Sequence, residues 1–181
     1  MGRVSKCHPR VVACGALDEL NCAVGETVSW VEALAAGDRR KRGVRRGLLR
    51  VQRELLAIGS LVSDVRKAPR RPTAKHGGMV RRLESEIDAM TAELPECREF
   101  ILPGGGVAAS AAHRARAICR RAERVCVAAL ENEPVGGSVL PYLNRLGDWL
   151  FVLARRLAES AAGTAERRPR PTKARQRGRQ R

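Results

Sequence analysis

Guanidinium groups at helical spacing are the chemistry this sequence offers most plainly. In the run His113-Arg114-Ala115-Arg116-Ala117-Ile118-Cys119-Arg120-Arg121-Ala122-Glu123-Arg124, residues His113, Arg116, Arg120, Glu123 and Arg124 fall within about a quarter-turn of one another at ~100° per residue. Ala112, Ala115, Ile118, Cys119, Ala122, Val125 and Cys126 take the opposite side, an apolar face for a core. Three like charges on one stripe repel, so the stripe calls for an anion or for carboxylates. Arginine suits phosphate, because its planar fork donates two hydrogen bonds at once. Glu123 among them can orient a guanidinium or accept from a ribose or base. A second run, Tyr142-Leu143-Asn144-Arg145-Leu146-Gly147-Asp148, puts Asn144, Asp148 and the later Arg155 on one side. Leu146, Leu150, Leu153 and Leu157 line the other. Asn144 adds an amide that both donates and accepts. Together these residues have the chemistry of a nucleotide site. From charge alone the alternative stays open: a solvated basic face with pairs four residues apart, each worth little.

Other polar groups read two ways. Asp18 and Glu19 sit at the expected start of the first helix, where they complement its dipole or cap it. Alternatively they form salt bridges to the arginines, and Asp148 has the same two readings. His113, like His8 and His76, has no metal-ligand partners at useful spacing, so a hydrogen-bonding structural role is expected and no metal site is. Gly104-Gly105-Gly106 before a helix either cradles a phosphate or acts as a hinge.

The elements that position these groups follow from periodicity. Leu17, Leu20, Val24, Val28, Val31 and Leu34 step by three and four, which predicts a first helix over about 17–36. A basic stretch from Arg39 to Arg46 leads into a second, marked by Val44, Leu48, Val51, Leu55, Ile58 and Val62. Pro69, Pro72 and Gly77-Gly78 mark a loop. Met79, Leu83, Ile87 and Met90 give a third helix, closed by Pro95. A fourth covers about 107–132 and a fifth about 138–161, with Pro134 and Gly136-Gly137 between them. Five amphipathic helices on short loops imply an all-α up-and-down bundle. It occupies residues 1–162. Residues 163–181 lack apolar periodicity and read as a disordered basic tail.

Composition bounds the rest. The 181 residues suit one domain. Of the formal net charge of +16, the tail carries +7, leaving +9 on the body. Aromatic residues are 3%, which argues against a base-stacking single-strand binder. The six cysteines show no C-x-x-C pair and follow no secretory signal, so free thiols in a reducing cytoplasm are expected. No apolar run approaches the ~18–20 residues of a membrane span.

Six pieces of the chain, in order, resemble the PduO-type ATP:cob(I)alamin adenosyltransferases. They are Arg3-Val4-Ser5-Lys6; Pro9-Arg10-Val11-Val12-Ala13 with Gly15 and Asp18-Glu19-Leu20-Asn21; Gln52 with Leu55 and Gly59; Phe100-Ile101-Leu102-Pro103-Gly104-Gly105; the arginine run from His113 to Arg124; and Tyr142-Leu143-Asn144-Arg145-Leu146 with Asp148, running into Leu150-Phe151. The resemblance spans about Arg3 to Glu159. It implies a ferritin-like five-helix bundle, a homotrimer with active sites between subunits, and transfer of the 5′-deoxyadenosyl group of ATP to the cobalt of cob(I)alamin. It implies that Lys6, Arg120, Glu123, Arg124 and Asn144 bind ATP, with Mg2+ accompanying the triphosphate. Arg116 would pair with Asp18 across the subunit boundary and, with Arg120, shape the catalytic site. Phe100 would lie at the lower face of the corrin and help displace its axial base. A reductase would supply the electron.

The same resemblance leads one to expect a phosphate loop of the type T-G-D-x-G-x-T about a dozen residues before the Arg-Val-x-Lys segment. The sequence opens at Met1-Gly2-Arg3 without it, and His8, Cys14 and Gly147 stand where aspartate, tyrosine and serine are common. Weak or absent turnover is therefore expected, with the fold and the trimer kept. A second reading is a bundle that binds or carries a corrinoid without catalysis. A third is sequence-neutral nucleic-acid binding through the basic tail.

Overall fold

Apolar steps of three and four build five helices in the computed structural model, which describes residues 4–34, 39–63, 74–97, 100–130 and 136–160. They are α1 (Pro9–Ala33), α2 (Arg39–Ser63), α3 (Ala74–Ala92), α4 (Val107–Leu130) and α5 (Gly136–Ser160). Side-chain contacts fix their directions. Glu32 near the end of α1 meets Arg45 near the start of α2, and Cys14 meets the Gly59 carbonyl at the other end, so α1 and α2 are antiparallel. Glu19 with Arg121 and Glu26 with Arg114 make α1 and α4 antiparallel. Asn144 with Glu123 does the same for α4 and α5. Glu84 with Arg145 and Glu93 with Arg156 make α3 and α5 parallel. The chain thus runs up and down five times, as the sequence predicts.

Close helix pairs are α4–α5, α1–α4, α1–α2 and α3–α5. The core-facing side of α4 explains its two close neighbours. It is almost all alanine and cysteine, with Ala108, Ala109, Ala112, Ala115, Cys119, Ala122 and Cys126 buried. Small side chains let helix axes approach. The larger volume comes from α5, where Leu143, Leu146, Leu150 and Leu153 are at most 1% exposed. Burying each contributes about 1.5–3 kcal/mol.

Several boundaries differ from expectation. α1 begins at Pro9, two turns before the periodicity does. His8 adopts an extended backbone and its Nδ1 accepts from Arg10 N at 3.2 Å, while Pro9 takes the first helical position, where no N–H is needed. Val11 and Val12 are exposed, which hid this turn from the apolar pattern. Asp18 and Glu19 therefore lie in the body of α1, too far from its start to cap it or to feel its dipole. The basic stretch from Arg39 belongs to α2, and Gly77-Gly78 lie inside α3 instead of a loop. Pro69, Pro72, Pro134, His76's side chain and the tail 163–181 lie outside the described residues. No helix among the described residues is long and apolar enough to cross a membrane.

The triple glycine is a fixed turn. Gly105 has φ +91°, and a Cβ placed there would lie 2.3 Å from the Ala158 Cβ and 3.1 Å from its Cα. It is a wedge holding the α4 entry against the end of α5. Gly106, at φ 99°, offers its carbonyl to Ser110 N at 2.9 Å, the first bond of α4. Gly105→Ala is expected to lose about 2–3 kcal/mol, from the positive φ and the overlap together. Thermal denaturation by circular dichroism measures it; a midpoint equal to that of the parent chain would refute the wedge.

Candidate functional site

The seam between α4 and α5 gathers most of the singled-out residues. α4 carries five arginines, and they divide by partner. Arg114 and Arg121 turn to α1, where Glu26 and Glu19 neutralise them. Arg116 and Arg120 turn to α5, and neither they nor Arg124 have an ion pair among the described residues. Arg124 Nη1 donates to the Arg120 carbonyl at 3.0 Å, which folds its fork back along the helix. Arg120 packs beside Gly147, close enough that a Cβ there would sit 3.9 Å from the arginine Cγ. Next to them Asn144 Nδ2 donates to Glu123 Oε1 at 3.0 Å. That bond spans the two helices and leaves the amide oxygen and a second carboxylate oxygen for a ligand. Asp148 is occupied within α5, accepting from Arg145 Nη1 at 2.9 Å.

Toward the start of α4 the seam closes over Phe151. The Arg116 guanidinium lies 5.7 Å from its ring centroid and that of Arg155 6.0 Å, so two cations share one aromatic face and edge. His113 meets the same ring edge-on at 6.3 Å. Arg155 is itself anchored on the Pro95 carbonyl, which ties the seam to the segment that carries Phe100. Sequence reasoning gave Phe151 no role. The available signal was its place four residues before Arg155 and seven after Asn144, on the same side of α5.

His113 is buried at the head of the seam, 4% exposed, and one of its two ring nitrogens, Nδ1, lacks a hydrogen bond. Burial, and secondarily the Arg116 charge, push its pKa below the ordinary value of 6.5. The folded protein therefore holds it neutral, while the unfolded chain takes up a proton below about pH 6.5. Stability is expected to be full above that pH and to fall as pH drops through it. His113→Gln should flatten this part of the profile; an unchanged slope in urea denaturation between neutral and mildly acid pH would refute the assignment.

Among the described residues the seam holds no activated thiol. Burial pushes the Cys119 thiol far up, and Cys119 Sγ points to the Leu143 carbonyl at 3.3 Å. Burial pushes Cys126 up to about 12. Thiols held protonated are inert. Among the described residues no group of three or more His, Cys, Asp or Glu is placed to hold a metal ion.

Three singled-out residues stay outside the seam. Asp18 is exposed on α1, beside Glu19. Lys6 is exposed in the turn before α1, at the end of the bundle where α4 finishes. Phe100 is 86% exposed in the segment between α3 and α4, at the opposite end. One chain thus assembles Arg116, Arg120, Glu123, Arg124 and Asn144, and leaves Asp18, Lys6 and Phe100 at its surface.

Comparison with known proteins places the chain in a family. Residues 1–157 match the family model described as cobalamin adenosyltransferase. The corrinoid adenosyltransferase of Bacillus subtilis is 40% identical over 166 residues, covering 91% of this chain and 83% of the relative. That of Mycobacterium tuberculosis is 39% identical over 159 residues, covering 86% and 79%. Among solved structures, a variant of the PduO-type ATP:corrinoid adenosyltransferase from Lactobacillus reuteri complexed with cobalamin and ATP superposes with a TM-score of 0.74 at 34% identity, over 86% of this chain and 81% of that one. Another variant of the same enzyme, complexed with ATP, gives 0.72 at 33% identity over 87% and 86%. This chain, from its first residues to the last turns of α5, belongs to the cobalamin adenosyltransferase family.

Proposed function

We propose that this protein transfers the 5′-deoxyadenosyl group of ATP to the cobalt of cob(I)alamin and that the α4–α5 seam receives the nucleotide. The observation that carries the site is the division of the α4 arginines: two are neutralised by α1, and three have no ion pair among the described residues. Guanidinium groups left unpaired side by side are stabilised by a polyphosphate. In the reaction the cobalt(I) electron pair attacks C5′, the cobalt–carbon bond forms, the C5′–O bond breaks, and triphosphate leaves with the bonding pair. Cobalt supplies the nucleophile, so inert thiols and a neutral His113 are no obstacle. The protein's contribution is to align C5′ with cobalt and to stabilise charge on the leaving group. Arg120 and Arg124 bind phosphates with Lys6, Glu123 and Asn144 hold the nucleoside, and Mg2+ arrives with ATP as part of the substrate.

The residues left at the surface support a site completed by a second subunit. Asp18 and Phe100 are exposed here and find partners in a homotrimer, where Asp18 pairs with Arg116 of a neighbour and Phe100 reaches the corrin. A reductase delivers the electron that forms cob(I)alamin. Six free cysteines agree with a reducing cytoplasm. The bundle, 1–162, is the catalytic domain. Anaerobic mixing of chemically reduced cob(I)alamin with MgATP tests the reading, with the optical change of adenosylcobalamin formation as readout and light scattering for the trimer. Product formation by a trimer is expected. A folded trimer that yields no adenosylcobalamin would overturn the transferase reading in favour of corrinoid binding without catalysis.

A further inference from the structure

α3 packs closely on α5 alone and forms no close pair with α1, α2 or α4. Its apolar footing is small. Of its described side chains only Met79, Leu83 and Met90 are buried, whereas α2, which also has one close partner, buries Leu48, Val51, Leu55, Ile58 and Val62. Between α3, α2 and α5 lies a cavity of about 430 Å3, with Ala89 and Met90 of α3 on one wall and Gly43 and Gly47 of α2 on another. Gly77 and Gly78 stand in the first turns of α3, where glycine weakens a helix.

Charge does much of the seating. Arg145 of α5 lies 3.3 Å from Glu84, and Arg156 lies 2.8 Å from Glu93. Arg50 of α2 binds Glu86 through two nitrogens, with Nη2 to Oε2 at 2.9 Å. Trp149 Nε1 donates to the same oxygen at 2.8 Å. Arg82 reaches back to Glu54 of α2 at 3.5 Å. In each ion pair at least one partner is partly exposed, and such pairs are individually weak and screened by salt. Few buried apolar groups, a void beneath and a polar seat are the marks of an element that opens below the global unfolding free energy. The exit of α3 is pinned separately. Leu94 N donates to the Thr91 carbonyl at 3.1 Å, and Arg155 of α5 then holds the Pro95 carbonyl, on the way to Phe100. The same Arg155 guanidinium lies 6.0 Å from the Phe151 ring in the seam.

We infer that α3 opens from α5 as one unit, against a latch of ion pairs that salt weakens, and that it carries the Phe100 segment with it. The opening follows from the geometry of α3 alone. Its consequence rests on the reading of Phe100 as a corrin contact. With α3 closed, Arg155 holds Pro95 and keeps the segment at the end of the seam where α4 starts. With α3 open, that bond is lost and the approach to this end of the seam widens for a bulky substrate. The other four helices keep their apolar footing and stay closed.

Hydrogen exchange of the full-length protein, read peptide by peptide in a mass spectrometer, tests the opening. It is compared at about 0.05 M and about 1 M NaCl, between which the screening length falls to about 3 Å. The α3 amides are expected to exchange together and before those of α1 and α4. High salt should speed them about tenfold and leave α1 and α4 unchanged, as screening of several weak pairs implies. Glu86→Gln keeps an acceptor for Trp149 and gives up the charge facing Arg50, so it should speed α3 at low salt and reduce the salt response. Glu84→Gln acts on a more exposed pair, with a smaller effect in the same direction, and stays informative if Glu86→Gln does not fold. α3 amides as slow as those of α1 at both salts, or an acceleration shared by all helices, overturn the opening. A second arm adds cob(II)alamin and MgATP, with absorbance to show that corrinoid is bound. Slower α3 exchange is expected, and Phe100→Ala should lose that slowing. Bound corrinoid with α3 unchanged overturns the link to Phe100. The salt arm needs no ligand, so it decides the opening even where the transferase reading fails.

Discussion

Arg120→Ala is expected to lower kcat/KM for adenosyl transfer about 100–1000-fold, the usual effect of removing one preorganised donor from developing charge. Arg120 is exposed and makes no ion pair among the described residues, so its side chain contributes little to folding. It lies between Arg116 and Arg124 on the seam and beside the Asn144–Glu123 bond. A guanidinium there meets the triphosphate as the C5′–O bond breaks and negative charge grows. If its interaction strengthens in that step, kcat falls; if it holds ATP equally before and after, only KM rises. Arg120→Lys separates the fork from the charge. An ammonium keeps the charge and loses the two parallel bonds, so an intermediate loss is expected. Steady-state kinetics with cob(I)alamin and MgATP, with circular dichroism to show the fold is kept, reads both variants. Turnover within about threefold of the parent would remove Arg120 from the site.

The stripe that carries this prediction was legible because a helix turns by a constant angle. Arg116, Arg120, Glu123 and Arg124 share a face by arithmetic, and Asn144 shares one with Asp148 and Arg155. Topology then followed from five amphipathic segments on short connections. What the pattern could not say is which arginines already have partners. Arg114 and Arg121 look like the others in sequence, and they are set apart by Glu26 and Glu19, about ninety and a hundred residues away on α1. Such pairings exist only after helices have packed. The start of α1 was hidden for a different reason. Its first turns hold exposed valines, so capping by His8 and Pro9, and not apolar period, marks the boundary. Gly105 was ambiguous because a glycine run signals freedom in sequence, whereas φ +91° and the proximity of Ala158 are properties of the folded chain. His113 was placed with the guanidinium groups by its angle, yet the seam narrows there and Phe151 covers it.

Glu54→Ala is expected to destabilise the bundle by about 2–4 kcal/mol, from a buried hydroxyl left without its acceptor, a weakened arginine pairing and an empty volume. In the sequence Glu54 reads as an ordinary polar residue of α2. In the fold it is 9% exposed and accepts from the Tyr142 hydroxyl of α5 at 2.9 Å. Arg50 Nε lies 3.4 Å and Arg82 Nη1 3.5 Å from its other oxygen. Arg50 continues the chain of contacts to Glu86, which also accepts from Trp149 Nε1. Burial alone would lower the Arg50 pKa, but Glu86 and then Glu54 raise it, so the guanidinium stays charged. Burial and then the Glu54 charge hold Tyr142 well above its ordinary pKa, so its hydroxyl stays a donor. Truncating Glu54 leaves a 1% exposed hydroxyl with no acceptor and a half-compensated arginine, in addition to an empty volume. Tyr142→Phe removes the donor and keeps both charges opposed, so it should lose about 1 kcal/mol. The ranking is the sensitive part: Glu54→Ala well below Tyr142→Phe in urea midpoint, with Glu54→Gln between, because the amide keeps an acceptor for the hydroxyl and gives up the charge. Equal midpoints for the alanine and phenylalanine variants would mean that α2, α3 and α5 are held by apolar packing and that this network only fills the space between them.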